Sequence, residues 1–137
     1  MSDSPLSVSA VAEREIVPGL RIGKSLDLDA LFNPATVAII GASRDVSKSG
    51  GDFMKRVLES GYRGSLYPIN LRETEILGHR VYSSLREVPD EIDLAVFCIP
   101  AAGALQAMAD CAAKGVKFAV VHTAGFTEGG NPDLEAE

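Results

Sequence analysis

The residues of this 137-residue chain whose types and spacing suit chemistry cluster in one segment, Gly41-Ala42-Ser43-Arg44-Asp45-Val46-Ser47-Lys48-Ser49-Gly50-Gly51. Small residues let a backbone approach an anion closely, and N–H groups at the start of a following helix donate to it. Arg44 and Lys48 add positive charge, and Ser43, Ser47 and Ser49 add hydroxyl donors. These features together describe a phosphate-holding loop better than a solvated turn. The spacing excludes two standard versions of such a loop. It is not G-x-x-x-x-G-K-[ST], and it is not G-x-G-x-x-G, because the next glycine after Gly41 is Gly50.

A second candidate segment is Pro68-Ile69-Asn70-Leu71-Arg72. A nicotinamide dinucleotide site usually places a carboxylate at the end of its second strand, where it holds the ribose hydroxyls. Here the strand end carries Asn70 and then the cation Arg72, with Glu73 one residue later. The cation suits a ligand with a phosphate on its ribose, such as NADP or coenzyme A. The third segment, Cys98-Ile99-Pro100-Ala101, makes a flat apolar ledge. It either holds an adenine ring or starts a helix, where proline is favoured, and its residues allow both.

Other chemistries find little support. Cys98 and Cys111 lie in no C-x-x-C and no Cys/His cluster, so no metal is expected and both read as buried, reduced thiols. His79 reads as a solvated turn residue, and His122 ends the last strand, nearer the crevice. There is no nucleophile–base–orienter set and no pair of carboxylates, so no catalytic residue is assigned. A net charge of −6 counts against general nucleic-acid binding, which needs a basic face. No apolar run approaches the roughly 20 residues that cross a bilayer. The first ten residues lack the basic start and apolar stretch of a secretory signal, so the cytoplasm is the expected compartment.

The elements that must position these segments can be read from periodicity. At 46% hydrophobic and 23% charged, the chain has the composition of one ordinary globular domain. Residues 1–24 have weak periodicity and read as a flexible leader or arm, leaving a domain over 25–137. A short helix is expected over 25–32, capped by Ser25, with Leu28, Leu31 and Phe32 on its inner stripe. Thr36–Ile40 is a β-branched apolar run suited to a strand buried on both faces. A helix over 53–60 follows, with Phe53, Val57 and Leu58 inward, then a strand over 65–70 with Pro68 near its end. A short edge strand at 80–82, a helical turn reaching 88 and a buried strand over 93–99 come next. The helix over 101–114 is expected to turn Leu105, Met108, Ala109 and Ala112 inward and to stop at Gly115, before a last strand over 117–122. Alternating strands and helices predict a doubly wound, Rossmann-like α/β fold: a parallel sheet of about five strands, order 3-2-1-4-5, with helices on both faces. Its ligand crevice falls between the first strand and the strand at 93–99.

Five motifs, in order, carry a resemblance: Leu31-Phe32-Asn33-Pro34, Val37-Ala38-Ile39-Ile40-Gly41-Ala42-Ser43, Tyr67-Pro68-Ile69-Asn70, Asp93-Leu94-Ala95-Val96 and Thr123-Ala124-Gly125-Phe126. As a set they resemble the N-terminal CoA-binding domain of ADP-forming acyl-CoA synthetases, relatives of the succinyl-CoA synthetase alpha subunit, over roughly residues 26–130. The resemblance implies that Gly41, Ala42, Ser43, Arg44, Lys48, Ser49 and Gly50 hold the phosphates of coenzyme A. It implies that the Pro68 strand end, through Asn70 and Arg72, meets the ribose and its 3′-phosphate. Ile99 and Pro100 would touch the adenosine, and Thr123 and Ala124 would lie along the pantetheine arm. The family more often has Asn-Pro-Lys where this chain has Asn70-Leu71-Arg72, and arginine keeps the charge. The implied partners are CoA or acyl-CoA and the remaining ligase domains or a partner subunit. In the resembled enzymes a phosphorylated histidine and a nucleotide-grasp domain come later in the chain. Ending at Glu137, the chain is expected to be truncated at its C-terminus and not competent in catalysis by itself. A stand-alone CoA-binding regulatory module and an NAD(P)-binding redox domain are the alternatives.

Overall fold

The computed structural model of the protein describes residues 28–123 and, as backbone alone, Glu15–Val17 (β1) and Leu20–Arg21 (β2). These two short strands pair antiparallel with one another. The rest of the expected leader, the expected cap Ser25 and Ala124 lie outside the described residues.

A four-stranded parallel sheet organises the domain. Its strands are β3 (Thr36–Ile40), β4 (Ser65–Ile69), β7 (Leu94–Phe97) and β8 (Phe118–Val121), in the spatial order β4-β3-β7-β8. Between them run α2 (Ser49–Glu59), the hairpin of β5 (Glu75–Ile76) and β6 (His79–Arg80), a 3₁₀ turn (Leu85–Glu87) and α3 (Ala101–Lys114). The one-turn helix α1 (Asp29–Phe32) precedes β3. Because successive strand residues point to opposite faces, β3 builds two cores. Val37 and Ile39 pack with Met54 of α2, Leu66 and Val96 on one face. Ala38 and Ile40 pack with Leu85, Val88, Ile92, Phe97, Ala107 and Cys111 on the other. Helices therefore cover both faces, as the doubly wound pattern requires.

Four expectations need correction. The third strand is reduced to one parallel bridge, Tyr82 with Ile69. Tyr82 N–H donates to the Pro68 carbonyl and Asn70 N–H to the Tyr82 carbonyl, each at 3.0 Å. The next rung back along the ladder would need an N–H on Pro68, which proline lacks. The chain instead pairs His79–Arg80 antiparallel with Glu75–Ile76. Second, α3 buries Ala101, Ala104, Ala107 and Cys111, whereas Met108, Ala109 and Ala112 are exposed. A stripe of small residues lets the helix lie close to the sheet, and in so Ala-rich a helix hydrophobicity does not separate the faces. Third, α1 buries Ala30 and leaves Leu28 and Phe32 exposed, and its cap residue, Leu28, makes no side-chain capping bond. Fourth, in α2 the fully buried residue is Met54, with Leu58 exposed, and the helix starts four residues earlier than its apolar pattern does.

Asp93 ties together the entry ends of three neighbouring strands. Its Oδ2 accepts from Ala35 N–H at 2.8 Å, just before β3, and its Oδ1 lies 2.8 Å from Lys117 Nζ, just before β8. The Lys117 ammonium first, and the Ala35 N–H second, hold its carboxyl below the usual range against the opposing effect of burial. A depressed folded pKa contributes stability that is present above the unfolded pKa and lost as pH falls through the folded one. Asp93→Asn is therefore expected to cost about 2 kcal/mol at pH 7. The difference from the unsubstituted protein should begin to shrink as pH drops below the unfolded value of about 4 and be lost as pH falls through the lower folded one. Urea midpoints of the two proteins at pH 7 and at acid pH check this; a constant gap would remove the charge from the explanation.

Candidate functional site

Where β3 ends, the chain turns at Gly41 with φ +86°, a conformation that disfavours any residue with a Cβ. The turn is also crowded. A Cβ on Gly41 would lie 2.4 Å from the Cys98 carbonyl oxygen and 2.6 Å from Ile99 Cγ2. Gly50, in the first turn of α2, passes so near that its Cβ would lie 1.9 Å from the Gly41 carbonyl oxygen. The glycines thus bring the start of α2 against the end of β3 and leave an open mouth above the sheet.

The donors at this mouth differ from those expected of the loop. Gly41 and Ala42 N–H both donate to the Ile69 carbonyl, at 3.0 and 3.2 Å, so they serve the sheet. Asn70 Nδ2 donates to the Ala42 carbonyl, and Asn70 Oδ1 accepts from Arg72 and Glu73 N–H. Asn70 is thereby a clasp between two loops. Lys48, at the N-cap of α2, offers no side-chain cap, and among the described residues nothing accepts from Ser49, Gly50 or Gly51 N–H. Those first-turn donors stand at the positive end of the helix dipole and are available to an anion. Asp45 does not compete strongly there: the Ser47 hydroxyl and N–H hold its carboxylate at 2.6 and 2.9 Å and depress its pKa, with Lys48 adding a smaller attraction.

Beside this mouth lies a cavity of about 700 Å³. It sits at the carboxyl ends of β3, β4 and β7, the switch point of the sheet. Of the residues expected at the site, Gly41, Ser43, Lys48, Asn70, Arg72, Ile99 and Pro100 line it. Ala42 and Gly50 are buried beneath it, and Pro68 lies within β4. Arg44 is turned away: its Nε donates to the Glu75 carbonyl at 2.9 Å and lies 2.5 Å from Glu73 Oε2. Ser49 hydrogen-bonds the Cys98 thiol, whose pKa is pushed up by burial and drawn back by that bond. Thr123 lies two residues past the end of β8, outside the cavity lining, and its buried Oγ1 has no partner among the described residues. His122 is exposed, and neither it nor His79 lines the cavity.

The residues that sequence reasoning missed belong to the far wall. Ser83, Ser84 and Leu85 face the cavity from the segment around the 3₁₀ turn, and Gly103, Gln106, Ala107 and Asp110 face it from α3. The spacing of the last four is helical, but the Leu and Met residues on the opposite side of α3 masked it. Among the described residues no cluster of His, Cys, Asp and Glu could hold a metal ion, and no helix is long and apolar enough to cross a membrane. The site offers free N–H donors at the start of α2, a cation at Arg72 that is unpaired among the described residues, and an apolar slot with a polar far end.

A family model described as CoA binding domain matches residues 35–134. Acetate–CoA ligase [ADP-forming] II of Archaeoglobus fulgidus is 39% identical over 132 residues, which are 94% of this chain and 20% of that protein. The alpha subunit of acetate–CoA ligase [ADP-forming] I of Pyrococcus furiosus is 43% identical over 116 residues, 82% of this chain and 25% of the subunit. The solved structure of the dinucleotide forming acetyl-coenzyme A synthetase 1 of Ca. Korarchaeum cryptofilum, in complex with phosphate and ADP, matches with a TM-score of 0.76 at 44% identity. That match covers 82% of this chain and 24% of the other. The chain spans a fifth to a quarter of the length of these relatives.

Proposed function

The chain belongs to the CoA-binding domain family, and on that premise we propose that its cavity holds the phosphorylated nucleotide end of CoA or an acyl-CoA, in the service of an ADP-forming acid–CoA ligase. The observation that carries the reading is Arg72. It lines the cavity just past the end of β4, is exposed, and makes no ion pair with a described residue. In a nicotinamide dinucleotide site a carboxylate at this strand end would take the ribose hydroxyls. Here the nearest carboxylate, Glu73, is paired with Arg44. A guanidinium in that place favours a phosphate, which it can bind through two parallel N–H donors. The first turn of α2 and Lys48 form a second anionic subsite, suited to the pyrophosphate. Ile99 and Leu85 supply apolar surface between them for a ring.

In this reading the chain binds and orients, and the acyl and phosphoryl transfer steps belong to further ligase domains or a partner subunit. The similarity to a protein that is itself an alpha subunit supports such a partner. The two unpaired thiols, Cys98 and Cys111, the latter buried with its pKa pushed up to about 11, suit a reducing, cytoplasmic setting. Calorimetric titration of the protein with CoA, NADH and NADPH tests the proposal. Binding of CoA with none of NADH is expected; binding of either nicotinamide cofactor with none of CoA would replace it with a redox reading.

A further inference from the structure

The far end of the cavity carries a feature that the phosphate sites do not require. Helix α3 presents Gly103, Gln106 and Asp110 along one line, starting beside Pro100 at the mouth. At 1.5 Å per residue, Pro100 to Asp110 spans about 15 Å, enough for a nucleoside laid along the helix. Glycine weakens a helix relative to alanine. Packing among the described residues does not call for it at 103: a Cβ there would meet only Ile99 Cδ1 of them, at an ordinary 3.5 Å. What the missing side chain leaves is room in the cavity.

At the end of this line stands a pair of acceptors. Asp110 Oδ1 receives Arg86 Nε at 2.9 Å and Gln106 Nε2 at 3.1 Å. Since Gln106 must turn its NH₂ to the carboxylate, its Oε1 points elsewhere as an acceptor. No described residue donates to Gln106 Oε1 or to Asp110 Oδ2. The Asp110 side chain is 20% exposed, so its charge is partly desolvated and held in place by Arg86. Gln106 Oε1 and Asp110 Oδ2 are thus two acceptors on one wall of the cavity, which accept from an amine and repel a carbonyl.

Resting on the reading of the cavity as a CoA site, we infer that Gly103 keeps a slot open for the purine ring and that Gln106 and Asp110 read its 6-amino group. The site then selects adenine over a 6-oxo purine. An adenine donates its exocyclic N–H to Asp110 Oδ2 or Gln106 Oε1; a 6-oxo purine would set an oxygen against the same acceptors.

The test is calorimetry on the 137-residue chain with three ligands: CoA, its deaminated (inosine) analogue and dephospho-CoA. CoA is expected to bind about tenfold more tightly than the deaminated analogue, the size of one charge-assisted contact at a partly exposed site. In Asp110→Asn that preference should fall to about twofold or less, because the amide can turn its NH₂ toward a 6-oxo group. The ratio of CoA to dephospho-CoA should stay unchanged, which a general loss of structure would not produce. Gly103→Ala should raise the thermal midpoint by about 2 °C while weakening CoA several-fold, opposite signs that a purely structural role would not give. Equal affinity of the unsubstituted protein for CoA and its deaminated analogue overturns this inference and leaves the CoA reading standing. Failure of CoA to bind at all overturns both.

Discussion

Alanine in place of Gly50 is expected to lower the stability of the domain by about 3 kcal/mol or more, the upper range for an overpacked interior. The added Cβ would lie 1.9 Å from the Gly41 carbonyl oxygen and 2.8 Å from its carbon. Those atoms have little freedom to yield. Gly41 is held by its N–H bond to Ile69 and hemmed in by the Cys98 carbonyl on its other side. Gly51, one residue on, is as tight, with a Cβ position 2.0 Å from the Asp45 carbonyl oxygen. Relief would require α2 to back away from β3, which loosens Met54 from Val37 and Ile39. Against a total stability of about 5–15 kcal/mol, such a loss is large. Urea unfolding followed by circular dichroism measures it, with Gly103→Ala as the companion at a roomy position. A loss below about 1 kcal/mol would mean that the crossing has slack the geometry denies.

The second large effect concerns binding. Arg72→Ala is expected to weaken CoA by about tenfold at moderate salt, and by more at low salt, while dephospho-CoA is nearly unaffected. The magnitude follows from a charge-assisted bond discounted for an exposed side chain. The selectivity follows from position, since Arg72 lines the cavity just past the β4 end and Lys48 lines it from the N-cap of α2. Arg72→Lys should fall between the two, keeping the charge and losing the paired donors. Calorimetry with both ligands at two salt concentrations decides the matter. An equal loss for CoA and dephospho-CoA would remove the 3′-phosphate from Arg72 and assign the residue to the electrostatics of the whole mouth.

Much of the fold was legible because its signals are local. Apolar β-branched runs mark β3 and β7, and Pro100 and Gly115 bracket α3 at its observed limits. Four of the five expected strands stand in the expected order, 2-1-4-5. The inner face of α3 was not legible, since alanines surround that helix and only contact with the sheet distinguishes Ala104 and Ala107 from Ala109 and Ala112. The third strand was misread for a reason that was present in the sequence but could not be used without the pairing. Pro68 matters only once its missing N–H is known to face Tyr82 and not β3.

The site divides in the same way. Residue types by themselves determined that a glycine-rich loop joins a buried strand to a helix, and that a cation follows the second strand. These are properties of neighbours along the chain. Which cation is free to meet a ligand was decided by the tertiary structure. Arg44 and Arg72 are equally basic in the sequence, but the fold sets Glu73, 29 residues away, against Arg44 and leaves Arg72 facing the cavity. The same holds for Asp110, whose partners Arg86 and Gln106 come from two different elements. Electrostatic pairing acts through space, and only folding brings those charges within reach of one another.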